Sequence, residues 1–181
     1  MRIIGGTFRS RVLAEFAGDD VRPTSDRAKE ALFNILSHNV IGARVLDLFA
    51  GSGSLGLEAL SRGAGEVVFN DAAKDSVAIV KKNLAALKLP VDGKKITVKQ
   101  SDYAICLQTQ AQPFDIIFID PPYKLDIGVR ALEWIAKNRL LTPKGLAVFE
   151  RDVAFNGEIA GLEKFDERKY GKAYLTFFRL A

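Results

Sequence analysis

The sequence has few of the side chains that bind metals or form disulfides, since its 181 residues include one cysteine, Cys106, and one histidine, His38. One cysteine cannot form a disulfide within the chain. Two such residues are too few for a typical zinc site, and no histidine is placed to activate a serine nucleophile. We therefore expect a protein without a metal centre and assign His38 to the polar end of a helix.

Long apolar runs are also missing from this chain. No segment approaches the roughly 18 apolar residues of a membrane span, and residues 1–6 turn polar too soon for a secretion signal. The composition, 48% hydrophobic and 27% charged, is typical of a soluble globular protein, and 181 residues suit a single domain. We expect the protein to be cytoplasmic.

Positive charge is concentrated at the start of a moderately basic chain, whose net charge is +4 and whose pI is near 9.2. Arg2, Arg9 and Arg11 precede the first acidic residue, Glu15. A basic segment of this kind suits contact with phosphate groups. We predict that these three arginines contact phosphate groups of a binding partner.

Strand and helix patterns alternate from residue 43 onward. We predict strands over residues 44–49, 66–70, 95–100, 114–119 and 146–150, and helices over residues 54–62, 74–87 and 127–138. This alternation is typical of βαβ units and a parallel sheet. Residues 163–170 and 173–179, separated by Gly171-Lys172, instead predict a closing hairpin.

The residues ahead of this core predict a small hairpin and a helix. Residues 2–4 and 11–13 can pair around Gly5-Gly6. The segment Arg22-Pro23-Thr24-Ser25 then leads into a helix with Thr24 or Ser25 as its cap. One face of that helix is apolar and carries Ala28, Leu32, Ile35 and Leu36. We predict one domain over residues 1–181, with a basic hairpin (1–21), a helix (22–39) and a Rossmann-like core (43–181).

A glycine motif follows the first predicted core strand. Gly51, Gly53 and Gly56 form a G-x-G-x-x-G pattern between strand and helix, and Asp71 follows twenty residues after Gly51, at the end of the next strand. This arrangement is typical of dinucleotide binding, in which the acidic residue holds a ribose hydroxyl. An NAD-dependent oxidoreductase is therefore one candidate.

An acidic residue just before the glycines favours a different cofactor. Asp47 can accompany the ammonium group of S-adenosylmethionine, whereas a pyrophosphate favours a helix N-terminus without a nearby acid. After the third strand, Asp102 can accept from an adenine amine and Tyr103 can pack nearby, although Asp102 can equally cap a helix. The predicted cofactor site comprises Asp47, Ala50, Gly51, Ser52, Gly53, Asp71, Asp102 and Tyr103.

The motif Asp120-Pro121-Pro122-Tyr123 predicts the chemistry. It follows the apolar strand 114–119, and ligands bind at the carboxyl ends of such strands. The Asp120 carboxylate and the Pro121 carbonyl can each accept one N–H of an exocyclic amine, the two prolines fix the backbone, and Tyr123 offers a face for an extruded base. The same tetrapeptide can also be an ordinary strand-to-turn connection.

The two motifs together predict an amine methyltransferase, because a hydride-transfer enzyme has no evident use for an amine clamp. Several alternatives remain. Enzymes for adenine N6 of DNA generally need an additional domain to read sequence, and glutamine-modifying relatives usually carry Asn in place of the first Asp. A non-catalytic ribosome-assembly factor would not need an intact cofactor pocket.

The whole chain resembles the small bacterial family of 16S rRNA guanine-N2 methyltransferases. Two stretches carry most of the resemblance: Arg2-Ile3-Ile4-Gly5-Gly6 with Arg9 and Arg11, and Arg22-Pro23-Thr24-Ser25-Asp26-Arg27 running into Glu30-Ala31-Leu32-Phe33-Asn34. The other two stretches, Asp47 to Gly53 and Asp120 to Tyr123, are shared with many amine methyltransferases. The ending Lys169-Tyr170-Gly171 before an apolar strand also looks like this family.

The resemblance implies a seven-stranded, mostly parallel Rossmann-like sheet with an antiparallel last strand. It also implies S-adenosylmethionine as methyl donor, S-adenosylhomocysteine as product, and 16S rRNA in the assembling 30S subunit as substrate for a monomeric enzyme. Arg22 and Thr24 would lie over the cofactor, and the N-terminal hairpin would bind RNA through Arg2, Arg9 and Arg11. The family usually carries Glu at the end of the second strand, where this chain has Asn70-Asp71.

Overall fold

The structure is a computed structural model that describes residues 1–16, 26–122 and 126–181. Its elements are α1 (Asp26–Leu36), a 3-10 turn (Ser37–Val40), β1 (Arg44–Asp47), α2 (Ser54–Ser61), β2 (Glu66–Asp71), α3 (Lys74–Ala86), β3 (Ile96–Gln100), α4 (Tyr103–Gln108), β4 (Phe114–Ile119), α5 (Ile127–Lys137), β5 (Leu141–Arg151), β6 (Leu162–Tyr170) and β7 (Ala173–Leu180). Within these ranges no helix has the length and apolarity of a membrane span.

The seven strands form one sheet in the order β3-β2-β1-β4-β5-β7-β6. Strands β1 to β5 are parallel to one another, and β7 is antiparallel to both β5 and β6. The predicted fold class is therefore confirmed, including the antiparallel last strand. Residues 170 and 173 pair across the β6–β7 turn, where Gly171 adopts a positive φ of 62°, as the hairpin prediction required.

Both faces of the sheet are covered by helices, which explains why its central strands are apolar throughout. Helices α1, α2 and α3 pack on one face through residues such as Leu32, Leu57 and Val80. Helices α4 and α5 pack on the other face through residues such as Leu107 and Leu132. The free thiol of Cys106 is buried in this second layer, and burial raises its pKa to about 11.

Two predicted strand boundaries were wrong. Strand β1 ends at Asp47 rather than residue 49, because the chain turns there into the glycine loop. Strand β5 begins at Leu141 rather than residue 146, because Leu141 pairs with Phe114 before a register shift, after which Leu146 pairs with Ile116. The polar and Pro-containing residues in this bulged start conceal the strand in the sequence.

The N-terminal residues pair with each other and lie against α1 and α2. Arg2 and Val12 form an antiparallel bridge, and Ile3 donates its N–H to the Arg11 carbonyl at 3.0 Å. The side chains of Ile3 and Leu13 are buried in the same cluster as Leu32 of α1. This segment, residues 1–16, is called the arm below.

Candidate functional site

The predicted cofactor and clamp residues within the described ranges meet at one edge of the sheet. Asp47 ends β1, Asp71 ends β2, Asp102 lies two residues beyond β3, and Asp120 follows the last residue of β4. These four strands are adjacent and parallel, so their carboxyl ends lie side by side. The predicted residues Arg22, Thr24 and Tyr123 lie outside the described residues.

The glycine loop, residues 50–54, connects this edge to α2. Gly51 and Gly53 have positive φ angles of 54° and 81°, which suit glycine and let the chain turn sharply into the helix. The loop is closed by a hydrogen bond from the Gly53 N–H to the Ala50 carbonyl at 2.6 Å. Among the described residues, apart from its two chain neighbours, none has an atom within 4 Å of the position that a Cβ on Gly51 would occupy, so this part of the structure leaves the outer side of the loop open.

Gly56, the third glycine of the motif, has a packing role. A Cβ at this position would lie 2.3 Å from the Phe69 ring of β2, so α2 can sit this close to the sheet only with glycine there. The Gly56 N–H also donates to Asp47 Oδ2 at 2.9 Å. The G-x-G-x-x-G spacing therefore reflects close helix–strand packing, and it does not by itself select a dinucleotide.

Asp71 shapes the glycine loop with its carboxylate. Its Oδ2 accepts the Gly51 N–H at 2.8 Å, and its Oδ1 accepts the Ala73 N–H at 2.8 Å. Each carboxylate oxygen can still accept a second hydrogen bond, so a ribose hydroxyl remains a possible partner. That Asp71 binds the cofactor stays a prediction.

Asn70, which precedes this carboxylate, is a structural residue. Its side chain is buried and donates to the carbonyls of Leu48 and Ser101, both at 3.1 Å, while Ser101 Oγ donates to Asn70 Oδ1 at 2.7 Å. These bonds join the carboxyl ends of β1, β2 and β3 across the sheet edge. Asn70 therefore does not supply a second cofactor ligand in the place of the family's Glu.

Asp47 is a buried acid, with 2% of its surface exposed. Its pKa is raised to about 7, mainly by burial. The Asp71 carboxylate adds to this increase, and the hydrogen bond from the Gly56 N–H opposes it. An acid in this state gains from a neighbouring positive charge, which would favour its ionised form.

Asp102 performs the capping role that the sequence left as an alternative. Its Oδ1 accepts the Ala104 N–H at 2.8 Å at the start of α4. The side chain is nevertheless exposed at the same edge, so its predicted role in cofactor binding stays a prediction. Tyr103 packs its ring against Phe49, with the ring centroids 5.7 Å apart. These two half-buried rings form an aromatic wall beyond β1 and β3.

Asp120 is half-buried and has two acidic neighbours. Its pKa is raised well above the ordinary value, first by burial, then by Glu150 and then by Asp47. Pro121 is buried and Pro122 is exposed. A Cβ on Gly128 of α5 would come within 3.1 Å of the Pro121 ring, so the start of α5 packs closely against this turn.

Glu150 is a site residue that sequence reasoning missed. It lies near the end of β5 and is 4% exposed. Glu150 lies on the same face of the sheet as Asp47 and Asp120. Side chains alternate along a strand, so each acid shares a face with the residue two positions before it. Those residues, Val45, Phe118 and Val148, all belong to one core layer. The available signal was that Glu150 is the first of three consecutive charged residues directly after the apolar residues 146–149.

The three arginines predicted to bind RNA differ in their surroundings. Arg2 forms an exposed ion pair with Asp26, with Nε and Oδ2 3.1 Å apart. Arg9 and Arg11 are exposed on the arm, and no ion pair joins either of them to another described residue. RNA contact by these residues stays a prediction. Among the described residues no group of three or more potential metal ligands occurs.

The model of one protein family, conserved hypothetical protein 95, matches residues 1–179. Among curated proteins, ribosomal RNA small subunit methyltransferase D of Haemophilus influenzae is 40% identical over 153 residues, which are 84% of this chain and 79% of that protein. The protein of the same name from Escherichia coli K12 is 36% identical over 153 residues, covering 84% and 75%. The solved structure of yhhF from Escherichia coli has a TM-score of 0.86 and 33% identity, and the match covers 99% of this chain and 97% of yhhF.

Proposed function

Because the chain belongs to the conserved hypothetical protein 95 family and is a methyltransferase related to ribosomal RNA small subunit methyltransferase D, we propose that it methylates the exocyclic N2 amine of one guanine in 16S rRNA. One observation carries this proposal: the glycine loop with Asp47 and the clamp at Asp120 lie at the same edge of the sheet. A donor site and an acceptor site can therefore face each other.

The residues at this edge fit S-adenosylmethionine. When bound, this cofactor supplies an electrophilic methyl group on a positively charged sulfur. The buried Asp47 and half-buried Asp120 have raised pKa values and would gain from a nearby cation. We assign the loop residues 50–53 and Asp47 to the amino-acid end, Asp71 to the ribose, and Asp102 with Tyr103 to the adenine. Arg22 and Thr24 remain proposed cofactor contacts.

The proposed clamp uses two acceptors in adjacent residues. The Asp120 carboxylate and the Pro121 carbonyl would each accept one N–H of the guanine amine, which orients the nitrogen lone pair. Pro121 and Pro122 contribute no backbone N–H that could compete for the acceptors. Catalysis would come mainly from positioning, because the methylated nitrogen is acidic enough to lose its proton afterwards.

The substrate would be an extruded base rather than one stacked in a helix. Removing a base from its stack costs a few kcal/mol, and less in an unpaired loop. Tyr123 would offer a stacking face, and Arg9 and Arg11 would contact RNA phosphates. We propose that the protein acts as a monomer on the 30S subunit or its assembly intermediate.

Transfer of labelled methyl groups from S-adenosylmethionine tests this function. Purified 30S subunits, free 16S RNA and duplex DNA serve as three acceptors, and the modified nucleoside is identified by mass spectrometry. We expect N2-methylguanosine from 30S subunits or 16S RNA and no label in DNA. N6-methyladenosine as the only product would replace the guanine proposal with an adenine methyltransferase.

A separate measurement distinguishes an enzyme from a non-catalytic assembly factor. Calorimetric titration with S-adenosylhomocysteine should give saturable binding to one site. Tight binding to RNA without any binding of this compound would favour the assembly factor and contradict the proposed enzyme.

A further inference from the structure

Two buried polar side chains join the arm to the glycine loop. The first is Lys29 of α1, which is fully buried. Its Nζ donates to the Arg2 carbonyl at 2.7 Å and to Ser54 Oγ at 2.9 Å. One ammonium group therefore contacts both the start of the arm and the last residue of the loop.

The second connecting side chain is Asn83 of α3, which is 2% exposed. Its Oδ1 accepts the Ala14 N–H at 2.7 Å, and its Nδ2 donates to the Ala14 carbonyl at 3.1 Å and to the Ser52 carbonyl at 3.0 Å. Two of these three hydrogen bonds go to the end of the arm, and the third goes to the middle of the loop. Loss of this amide would leave several buried backbone groups without a partner.

The middle of the arm is held on α2, the helix that follows the loop. Glu58 is fully buried and accepts the N–H groups of Ile4 and Gly5 at 2.7 and 2.8 Å. A Cβ on Gly6 would lie 1.8 Å from the Ser61 carbonyl oxygen, so the arm lies directly against the end of the helix. The arm, the loop and α2 therefore form one hydrogen-bonded unit.

We assign the buried Lys29 a role in positioning its partners rather than in stabilising the fold. Burial lowers its pKa, while Glu58, whose Oε2 is 3.9 Å from Nζ, partly opposes this effect. A buried ion pair often contributes no more stability than apolar side chains of similar volume. An apolar side chain, however, could not donate hydrogen bonds that hold Arg2 and Ser54 at fixed positions relative to each other.

We propose that Lys29 and Asn83 are positioning residues that couple cofactor binding at the glycine loop to RNA binding by the arm. The inference rests on the proposed function, since it takes the loop as the cofactor site and the arm as the RNA site. Fixing Ser52 and Ser54 fixes Ala14 and Arg2 through the two side chains. The cofactor should therefore tighten RNA binding. Linkage then requires RNA to tighten cofactor binding by the same factor.

Hydrogen exchange on the unmodified protein provides the first test. S-adenosylhomocysteine should slow amide exchange in peptides from residues 1–16 as well as in those from the loop. Peptides from the β6–β7 hairpin serve as the internal control and should not change, because that hairpin lies at the far end of the sheet from β1 and β2. This measurement needs no variant, so it decides the question even if a variant fails to fold.

Affinity for free 16S RNA, measured by filter binding with and without S-adenosylhomocysteine, provides the second test. We expect the compound to tighten RNA binding by about fivefold or more. In Lys29→Met and Asn83→Leu this ratio should fall towards one. Thr142→Val is the matched control, because it removes a side-chain hydrogen bond, from Thr142 Oγ1 to Asp115 Oδ1 at 2.9 Å, that does not involve the arm or loop.

The outcomes separate this inference from the proposed function. Calorimetric binding of S-adenosylhomocysteine without slower exchange in the arm, or with the same RNA affinity in its presence and absence, would overturn the coupling and leave the enzyme proposal intact. An undiminished ratio in both variants would overturn the roles of Lys29 and Asn83. Absence of any binding of the compound would overturn both proposals.

Discussion

At the scale of single residues, the carboxyl groups along the sheet edge fall into two kinds. Asp71 and Asp102 accept backbone N–H groups and thereby fix the glycine loop and the start of α4. Asp47 and Asp120 lie in surroundings that raise their pKa values. The first kind holds the site in shape, and the second would become ionised when a cation binds beside it.

Replacement of Asp120 tests the clamp. Asp120→Ala removes one of the two proposed acceptors for the amine, so we expect methyl transfer to fall by about 10²-fold to 10³-fold, the range seen when one oriented hydrogen bond is removed from a catalytic site. Affinity for S-adenosylhomocysteine, measured by calorimetry, should be nearly unchanged. Glu133→Ala, at an exposed position of α5, is the control. Unchanged turnover in Asp120→Ala would remove this residue from the mechanism.

The raised pKa of Asp47 predicts a pH dependence of stability for the protein without cofactor. Because the pKa is about 7 in the folded state and near 3.8 in the unfolded state, the native protein retains a proton that the unfolded chain loses between these values. The contribution of Asp47 to the free energy of unfolding therefore falls as pH rises from about 4 to about 7, and stays low above that.

Asp47→Asn removes this titration and keeps an acceptor for the Gly56 N–H. The free energy of unfolding of the variant, relative to the unmodified protein, should rise by about 3 kcal/mol between pH 4 and pH 7. Urea unfolding at several pH values measures it. A constant difference between the two proteins over this range would contradict a buried, protonated Asp47.

At the scale of elements, the short helix α2 contacts the sheet, the glycine loop and the arm. All eight residues from Ser54 to Ser61 are buried. The helix begins at the glycine loop, contacts Asp47 and Phe69 through Gly56, and holds the arm through Glu58 and Ser61. Its position therefore affects both the proposed cofactor site and the proposed RNA site.

Gly56→Ala should shift this helix away from β2. The added methyl group would meet the Phe69 ring, so we expect the free energy of unfolding to fall by about 1–3 kcal/mol. Phe69→Leu supplies the matched background, because the smaller side chain makes room for the methyl group. Denaturant unfolding of both single variants and the double variant should show a smaller cost for Gly56→Ala in that background. Strictly additive costs would contradict this contact.

At the scale of the whole molecule, the arm carries exposed positive charge. Arg9 and Arg11 are exposed there, whereas Arg2 is paired with Asp26. The net charge of +4 favours association with a polyanion in general. We expect the location of Arg9 and Arg11, rather than the total charge, to orient the RNA.

Salt dependence of RNA binding tests the arm. Arg9→Ala and Arg11→Ala should each weaken binding to 16S RNA, and each should lower the slope of log affinity against log salt concentration by about 0.7 to 0.9. Lys144→Ala, at an exposed position near the start of β5 and outside the arm, is the control for loss of one charge. If the three variants lowered the slope equally, the arm would have no special role.

The pattern of residues in the sequence was sufficient to predict the class of the fold and the sheet edge at which the candidate site residues meet. Apolar strands ending in Asp47, Asp71 and Asp120 could be recognised because parallel strands bring their carboxyl ends to one edge whatever their exact order. The start of β5 could not be recognised, because its first pairs precede a bulge that contains polar residues and Pro143. Periodicity is lost where a strand bends.

By itself, the sequence determined the class of the fold, the pairing of a glycine loop with an amine clamp, and the resemblance to rRNA methyltransferases. Local residue order carries these features, because turns and strand ends depend on neighbouring residues. The tertiary structure alone decided which polar groups meet: Glu150 beside Asp120, and Lys29 and Asn83 between the arm and the loop. Lys29 and Asn83 are 25 to 69 residues from their partners, and only the packing of α1, α2 and α3 on one face of the sheet brings these groups within hydrogen-bonding distance.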